Sequence, residues 1–289
     1  LSIRRQRQMC IRDSGVAVSG RVLVFGSANV DLVATVATLP RAGQTVAATS
    51  LRRLAGGKGA NQAVAAAQAG AAVVFVGAVG DDDAGRTYAA RLAARGIDVR
   101  LCVDESLPTG TAWVTVDDAG ENTVVVAPGA NAAATAHLPD LAPGDVLLVQ
   151  LEVPVGQVTR AVRQAAGAGA RVVLNAAPYA ALPADVLALA DPVVVNEVEA
   201  AELADSGLVA RSLLVTFGAA GAQWDDVRVD GVTVPEDEVL DTTGAGDAFC
   251  GALAAALAAG ADRPEALSRA AAAGADAVRR VGAQPDPEL

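Results

Sequence analysis

From Val22 onward the chain alternates between short unbroken apolar runs and Ala-rich stretches. The runs are Val22–Phe25, Val73–Val79, Val146–Leu151, Val172–Leu174, Val193–Val195 and Leu213–Phe217. None alternates apolar with polar positions, as expected of strands buried on both faces of a parallel sheet. Between them Gln62–Ala69, Ala84–Arg95, Val155–Ala168 and Ala184–Ala190 read as helices. Repeated strand–helix units predict an α/β fold: a doubly wound, mostly parallel sheet with helices on both faces.

Two segments break this pattern. Thr35–Leu54 and Thr109–Val126 read as short, more polar, alternating strands, with Asp117-Asp118-Ala119-Gly120 as a turn between two of them. Strands of this kind inside an α/β fold predict a small β-sheet flap over a site. Residues 20–289 therefore read as one α/β domain, with lid strands within about 35–54 and 109–126.

Composition narrows the picture. Hydrophobic residues are 52% of the 289 and aromatics 3%, so the core is built from Ala, Val and Leu. The formal charge of −11 repels phosphate at long range, which excludes most nucleic-acid and anionic-membrane binders. Residues 1–19 stand apart: Arg4, Arg5, Arg7 and Arg12 against Asp13 carry +3, and no apolar core of a signal peptide follows. They read as a disordered or non-native extension. Mean hydropathy is +0.37, and Ala60–Gly80 is uncharged and long enough to span a bilayer. Asn61, Gln62, Gln68 and Gly70 interrupt it, however, so a helix, a turn and a strand are expected instead. Cys10, Cys102 and Cys250 are widely spaced, which fits a reducing cytoplasm better than a disulfide framework. They lack zinc spacing, and the single histidine, His137, removes most metal-site designs.

Four segments carry candidate chemistry. In Asp241-Thr-Thr-Gly-Ala-Gly-Asp247, two glycines precede an Ala-rich helix expected from about Ala248 to Ala259. The amides of Gly244, Ala245 and Gly246 would face an anion at the helix N-terminus. Asp247 stands at the same end, either as a helix cap or as a base that takes a hydroxyl proton while the amides stabilise a transferred phosphoryl group. Gly56-Gly57-Lys58-Gly59-Ala60-Asn61 holds the only lysine of the chain; its spacing is not that of a P-loop. Gly26-Ser27-Ala28-Asn29-Val30-Asp31 follows the first strand, where open α/β sheets bind ligands, and lacks a dinucleotide fingerprint. Asn196-Glu-Val-Glu199 follows another strand and reads either as a capping box or as a water-mediated magnesium site, or as both.

These segments, in this order, resemble the ribokinase branch of the PfkB-type carbohydrate kinases. Gln150-Leu-Glu-Val-Pro154, Leu174-Asn-Ala-Ala-Pro178, Pro128-Gly-Ala-Asn-Ala132, Thr216-Phe-Gly-Ala-Ala-Gly221 and Gly282-Ala-Gln-Pro285 extend the resemblance over about residues 21–286. It implies transfer of phosphate from ATP to the terminal hydroxyl of a furanose sugar, D-ribose first. Asp247 would be the base, and Gly244, Ala245 and Gly246 the anion hole. Asn29, Asp31, Gly57, Lys58, Asn61 and Glu152 would bind the sugar. Asn196 and Glu199 would act near the phosphates and Mg2+, and Thr216, Gly218, Gly221 and Gly246 would line the nucleotide site. Asp241, Thr243, Ala277, Arg280, Gly282 and Asp286 match loop positions that hold a monovalent cation, usually K+. A cytoplasmic homodimer joined through the lid is also implied.

The chain departs from the family pattern where Ala204–Ser212 is short, which predicts an altered nucleotide side, and where it stops at Leu289 without the final helix the family usually adds. A kinase for 2-deoxyribose, fructose or a nucleoside stays open, as does a non-catalytic sugar-binding relative. A Rossmann oxidoreductase is disfavoured by the missing fingerprint.

Overall fold

The apolar runs pair side by side as expected. The computed structural model describes residues 20–289, so the extension expected over residues 1–19 lies outside the described residues. The first strand, β1 (Val22–Phe25), is followed by β2 (Asn29–Val36), β3 (Ser50–Gly56), helix α1 (Lys58–Gln68) and β4 (Val73–Gly80). Then come α2 (Asp83–Ala94), β5 (Asp98–Asp104), β6 (Gly110–Asp117) and β7 (Asn122–Ala127). The parallel units continue with β8 (Val146–Val149), α3 (Val155–Gly167), β9 (Arg171–Asn175), α4 (Ala184–Leu189), β10 (Val193–Asn196), α5 (Glu197–Asp205) and β11 (Leu213–Thr216). Two short strands, β12 (Ala222–Trp224) and β13 (Val227–Val229), precede α6 (Ala245–Ala258) and α7 (Arg263–Ala277).

Nine of these strands form one sheet in the order β13-β12-β11-β10-β9-β8-β1-β4-β5. Strands β4 and β8 flank β1 in parallel, with Val22 opposite Val73 and Val146. Chain order runs outward from β1 on both sides, which makes the gap between β1 and β8 a topological switch point. Ligands bind beyond the carboxyl ends of strands at such a point. Only β12 runs against the others in this sheet, pairing antiparallel with both β11 and β13.

Alternate strand residues feed two cores. Val22, Val24, Phe75 and Leu148 pack under α1, α2, α6 and α7, while Leu23, Phe25, Leu147 and Val149 pack under α3, α4 and α5. No helix among the described residues is long and apolar enough to cross a membrane. Ala60–Gly80 divides as expected into the end of α1, a turn at Gly70 and β4.

The second sheet has four strands in the order β3-β2-β6-β7. Its lower part follows expectation: β6 and β7 are antiparallel and joined through Asp117–Gly120. Its upper part corrects the expected boundaries, because the ladder runs from Asn29 to Val36 and from Ser50 to Gly56. Residues 37–49 contribute no strand. Pro40 has no N–H to give a ladder, and a turn closes from Gln44 N to Arg41 O. Strand β5 and helix α7 were not expected. Residues Ala204–Ser212 still permit a crossover, since β10 and β11 pair in parallel through α5.

Helices α1 and α6 approach closely at Gly251. A Cβ there would stand 2.5 Å from Ala65 Cβ and 2.6 Å from Gln62 O. Gly251→Ala is therefore expected to destabilise the fold by about 1–3 kcal/mol through forced separation of the helices. A lower urea midpoint at unchanged slope would show this; an unchanged midpoint would contradict it.

Candidate active site

The site is built where α1 and α6 point their amino ends at the switch point. Gly244, the residue before α6, has φ +78°, and a Cβ there would stand 2.5 Å from Ala283 Cα. Only glycine takes that left-handed turn in that space. The turn opens α6, the Ala245 N–H donates back to Thr242 O at 3.3 Å, and Asp247 lies in that first turn. Ala245 and Gly246 line the surface of the same helix end.

Asp247 is buried at 8% exposure, so its charge needs partners. Asn61 Nδ2 donates to Oδ2 at 2.9 Å and Gln62 Nε2 to Oδ1 at 2.9 Å. Burial pushes the Asp247 carboxyl up from the ordinary aspartate range, while Lys58 and the two amides pull it back down. Lys58 is itself largely buried. Burial opposes its charge, yet Asp247, Glu152 and Glu199 outweigh that and hold its ammonium above the ordinary lysine value.

Beside this pair stand the other residues expected at a sugar. Glu152 Oε2 accepts from Ser27 Oγ at 2.5 Å and from the Lys58 N–H at 2.9 Å, so it caps α1 from beyond β8. Asn29 is buried at the start of β2, and its Oδ1 accepts from Asn131 Nδ2 at 2.7 Å. Asn131 is pinned in turn by Ala28, accepting from its N–H at 3.0 Å and donating to its carbonyl at 3.1 Å. Asn29 is thus left with its NH2 as the free group. Asp31, two residues along β2, is pushed up to about 7, first by burial and then by the charges of Glu152 and Asp247. Gly57 and Lys58 open α1. Asn61 is brought to the site as well, but its amide already serves Asp247 and Gln284.

Two hollows lie at the amino end of α6, and Asp247 borders the smaller one. One, of about 130 Å³, is bordered by Lys58, Asn175, Asn196, Glu199, Gly244 and Asp247. The other, of about 550 Å³, is largely apolar and runs along Gly218, Gly221, Val232, Phe249, Gly274 and Val278. Thr216 and Gly246 border both, so the two are neighbours. A cleft stands on this side, at the end of the strand that follows the short Ala204–Ser212 segment. Asn196 and Glu199 form a reciprocal capping box at α5, with bonds of 2.9 and 2.8 Å, and still border the smaller hollow.

The expected cation loops are drawn together in part. Asp241 accepts from the Thr243 and Gly282 N–H groups at 2.8 and 2.9 Å. Leu240 and Asp241 donate main-chain hydrogens to Val278 O, which brings Ala277 and Arg280 alongside. The Arg280 side chain turns to Asp276 at 3.1 Å. Asp286 is exposed and borders a different hollow, next to Gln68, Arg91 and Arg95. Its carbonyl accepts from Arg91. Among the described residues no cluster of three or more His, Cys, Asp or Glu is arranged to hold a metal.

Sequence reasoning gave no role to Gln62, Gln150, Ser27 or Asn131. Each is a buried polar side chain in or beside a quoted motif, and that combination was the available signal.

A mostly parallel α/β sheet with a helix N-terminus and a buried carboxylate at one pocket, beside a larger apolar cleft, fits a phosphotransferase. Residues 19–289 match the family model described as pfkB family carbohydrate kinase, and the chain belongs to that family. Relatives include the ribokinases of Haemophilus influenzae, 35% identical over 90% of this chain and 93% of theirs, and of Bacillus subtilis, 37% identical over 91% and 94%. A bifunctional ribokinase/ribose-5-phosphate isomerase A from Fructilactobacillus sanfranciscensis is 34% identical over 82% of this chain, which spans 48% of that longer protein. Among solved structures, ribokinase from Thermotoga maritima aligns with a TM-score of 0.81 at 29% identity, covering 93% of this chain and 96% of that one. Arabidopsis thaliana ribokinase complexed with ribose and ATP aligns with a TM-score of 0.77 at 29% identity, covering 92% and 96%.

The raised Asp31 carboxyl has a consequence for stability. Its folded value of about 7 exceeds the ordinary 3.8, so the folded state holds a proton that the unfolded state lacks between those limits. Its contribution therefore weakens folding as pH rises through that window, and the penalty is complete above it. Asp31→Asn should raise the melting temperature by a few degrees at about pH 8 and by little at about pH 4. Equal shifts at both would contradict the assigned cause.

Proposed function

We propose that this kinase transfers the γ-phosphoryl group of ATP to the 5-hydroxyl of D-ribose. The observation that carries the reading is the position of Asp247, in the first turn of α6 and on the wall of the polar pocket, which shares Thr216 and Gly246 with the apolar cleft. The sugar would lie against Asn29, Asp31, Gly57, Lys58, Asn61 and Glu152, with its terminal hydroxyl toward Asp247. The nucleotide would lie along Thr216, Gly218 and Gly221. Asp247 would take the hydroxyl proton, while the amides of Gly244, Ala245 and Gly246 would take up charge on the phosphoryl oxygens. Lys58 would add its positive charge beside the transferred group.

Mg2+ would arrive with ATP and neutralise phosphate charge. Asn196 and Glu199 fit it through water, since that ion keeps much of its hydration shell. K+ would fit between the loops joined at Asp241 through its carboxylate and through main-chain oxygens. A guanidinium cannot ligate a cation, so Arg280 would serve only by its carbonyl, as would Ala277, Thr243 and Gly282. Asp286 is the member with least geometric support.

The four-stranded sheet would act as a lid that excludes water from the reaction. Leu51, Trp113 and Val124 to Val126 are exposed on it, which supports a homodimer joined through the lid. Free Cys102 and Cys250 fit the reducing cytoplasm.

ADP release should require D-ribose, exceed that with 2-deoxyribose or fructose, and rise with K+. Absence of turnover with every sugar would leave a binding protein. Asp247→Asn should keep sugar and ATP affinity and lower kcat by about a hundredfold or more. Near-normal turnover in that variant would remove Asp247 from the base role.

A further inference from the structure

Two buried side chains without a role so far meet behind Asn61. Gln284, on the loop after α7, donates from Nε2 to Asn61 Oδ1 at 2.8 Å and to the Tyr88 hydroxyl oxygen at 2.8 Å. The Tyr88 hydroxyl, fully buried on α2, donates to the carbonyl of Gly56 at 2.5 Å. Every direction in this chain follows from its far end. A main-chain carbonyl can only accept. Tyr88 therefore gives its one hydrogen to Gly56, and its oxygen is left to accept from Gln284. Gln284 must turn its NH2 to the junction, so Asn61 must offer Oδ1 there and Nδ2 to Asp247 at 2.9 Å.

A second chain reaches the other carboxylate oxygen in the same way. The carbonyl of Val194 faces Asn175 Nδ2 at 3.4 Å. Asn175 Oδ1 then accepts from Gln62 Nε2 at 3.0 Å, and that same Nε2 donates to Asp247 Oδ1 at 2.9 Å. Gln150 Nε2 holds Gln62 Oε1 at 2.5 Å. Neither amide beside Asp247 can turn over without leaving a buried polar group unpaired.

We propose that Tyr88 and Gln284 are positioning residues for Asp247: through Asn61 they hold its carboxylate as an acceptor at the polar pocket, and they tie that alignment to Gly56 at the root of the lid. This rests on the reading of Asp247 as the base. The charged groups that act on Asp247 are Lys58 from α1, Glu152 from beyond β8 and Asp31 from β2. Cys250 lies next to it on α6, Glu199 acts across the same pocket on Lys58 and Cys250, and Arg95 stands near Tyr88. Tyr88→Phe and Gln284→Met alter none of these charges, so their effect reports the hydrogen-bond chain.

The test is the pH dependence of kcat with D-ribose and ATP for the wild type, both of these variants and Gln284→Glu, alongside the KM for ribose and thermal melting. Tyr88→Phe and Gln284→Met should lower kcat about tenfold, with the KM for ribose within about twofold. Their acid limb should move up by about half to one unit, because Asn61 is free to present its oxygen to the carboxylate. Gln284→Glu should move the limb further, since a carboxylate at that junction demands a donor from Asn61 and reverses the chain. Should Gln284→Met be too unstable to assay, Tyr88→Phe removes a single oxygen and carries the same test.

An unmoved acid limb in variants that melt like the wild type would overturn the proposal, as would a loss of kcat that only follows a lowered melting temperature. Asp247→Asn measured in parallel separates the two claims. If it is inactive while the limb of the others stays put, only the positioning role fails; if it retains turnover, the base role fails and the positioning role with it.

Discussion

A carboxylate buried at the amino end of a helix is the constraint around which the rest of this structure is arranged. Asp247 is almost closed to solvent, and an unpaired charge there would cost several kcal/mol. Its compensation is spread over distant parts of the chain. Lys58 and Asn61 come from α1 with Gln62, the helix amides come from the turn at Gly244, and Gln284 arrives from beyond α7. Helices α1 and α6 must therefore lie close, and Gly251 permits it. The fold thus places a buried carboxylate, a lysine ammonium and a helix amino end around one pocket.

That local arrangement resolves an apparent conflict in composition. A chain of net charge −11 repels anions at long range, yet its family handles a phosphorylated nucleotide. Screening limits the long-range term to about 8–10 Å in physiological salt, while helix amides and Lys58 act in contact. Around Asp31 the balance is reversed. Asp31, Glu152 and Asp247 crowd three carboxylates together, and burial drives Asp31 up to about 7. Such a cluster is unfavourable for an empty protein and suits a ligand rich in hydroxyl donors. Stability is lowered at the place proposed for the sugar, whose hydroxyls would restore it.

Much of the architecture was legible because strands buried on both faces read as plain apolar runs. Val22–Phe25 forms β1 with the expected bounds, and the other five runs each became a strand of the large sheet. What escaped was structure whose signal is not hydrophobic. Strand β5 is an edge strand with mixed exposure, and β12 and β13 have three residues each. Helix α7 did carry start signals, Asp262 as cap and Pro264 in its first turn, but its Ala-rich body has no clear apolar stripe. The lid boundaries slipped because Asn29 and Asp31 look like loop residues after a strand, while tertiary pairing with Gly56 and Leu54 makes them a strand.

The candidate site divides in the same way. Motif residues on one turn, such as Gly244 to Asp247 or Asn196 with Glu199, could be placed from spacing alone. Contacts between segments more than a hundred residues apart could not, and Gln284 with Asn61 and Tyr88 is the clearest case. The placement of a sugar's terminal hydroxyl at Asp247 is tested most directly by the phosphorus NMR spectrum of the product made from D-ribose and ATP. A phosphate on the primary carbon couples to two protons, so a triplet assigned to ribose 5-phosphate is expected. A doublet, from a phosphate on a secondary or anomeric carbon, would contradict that placement.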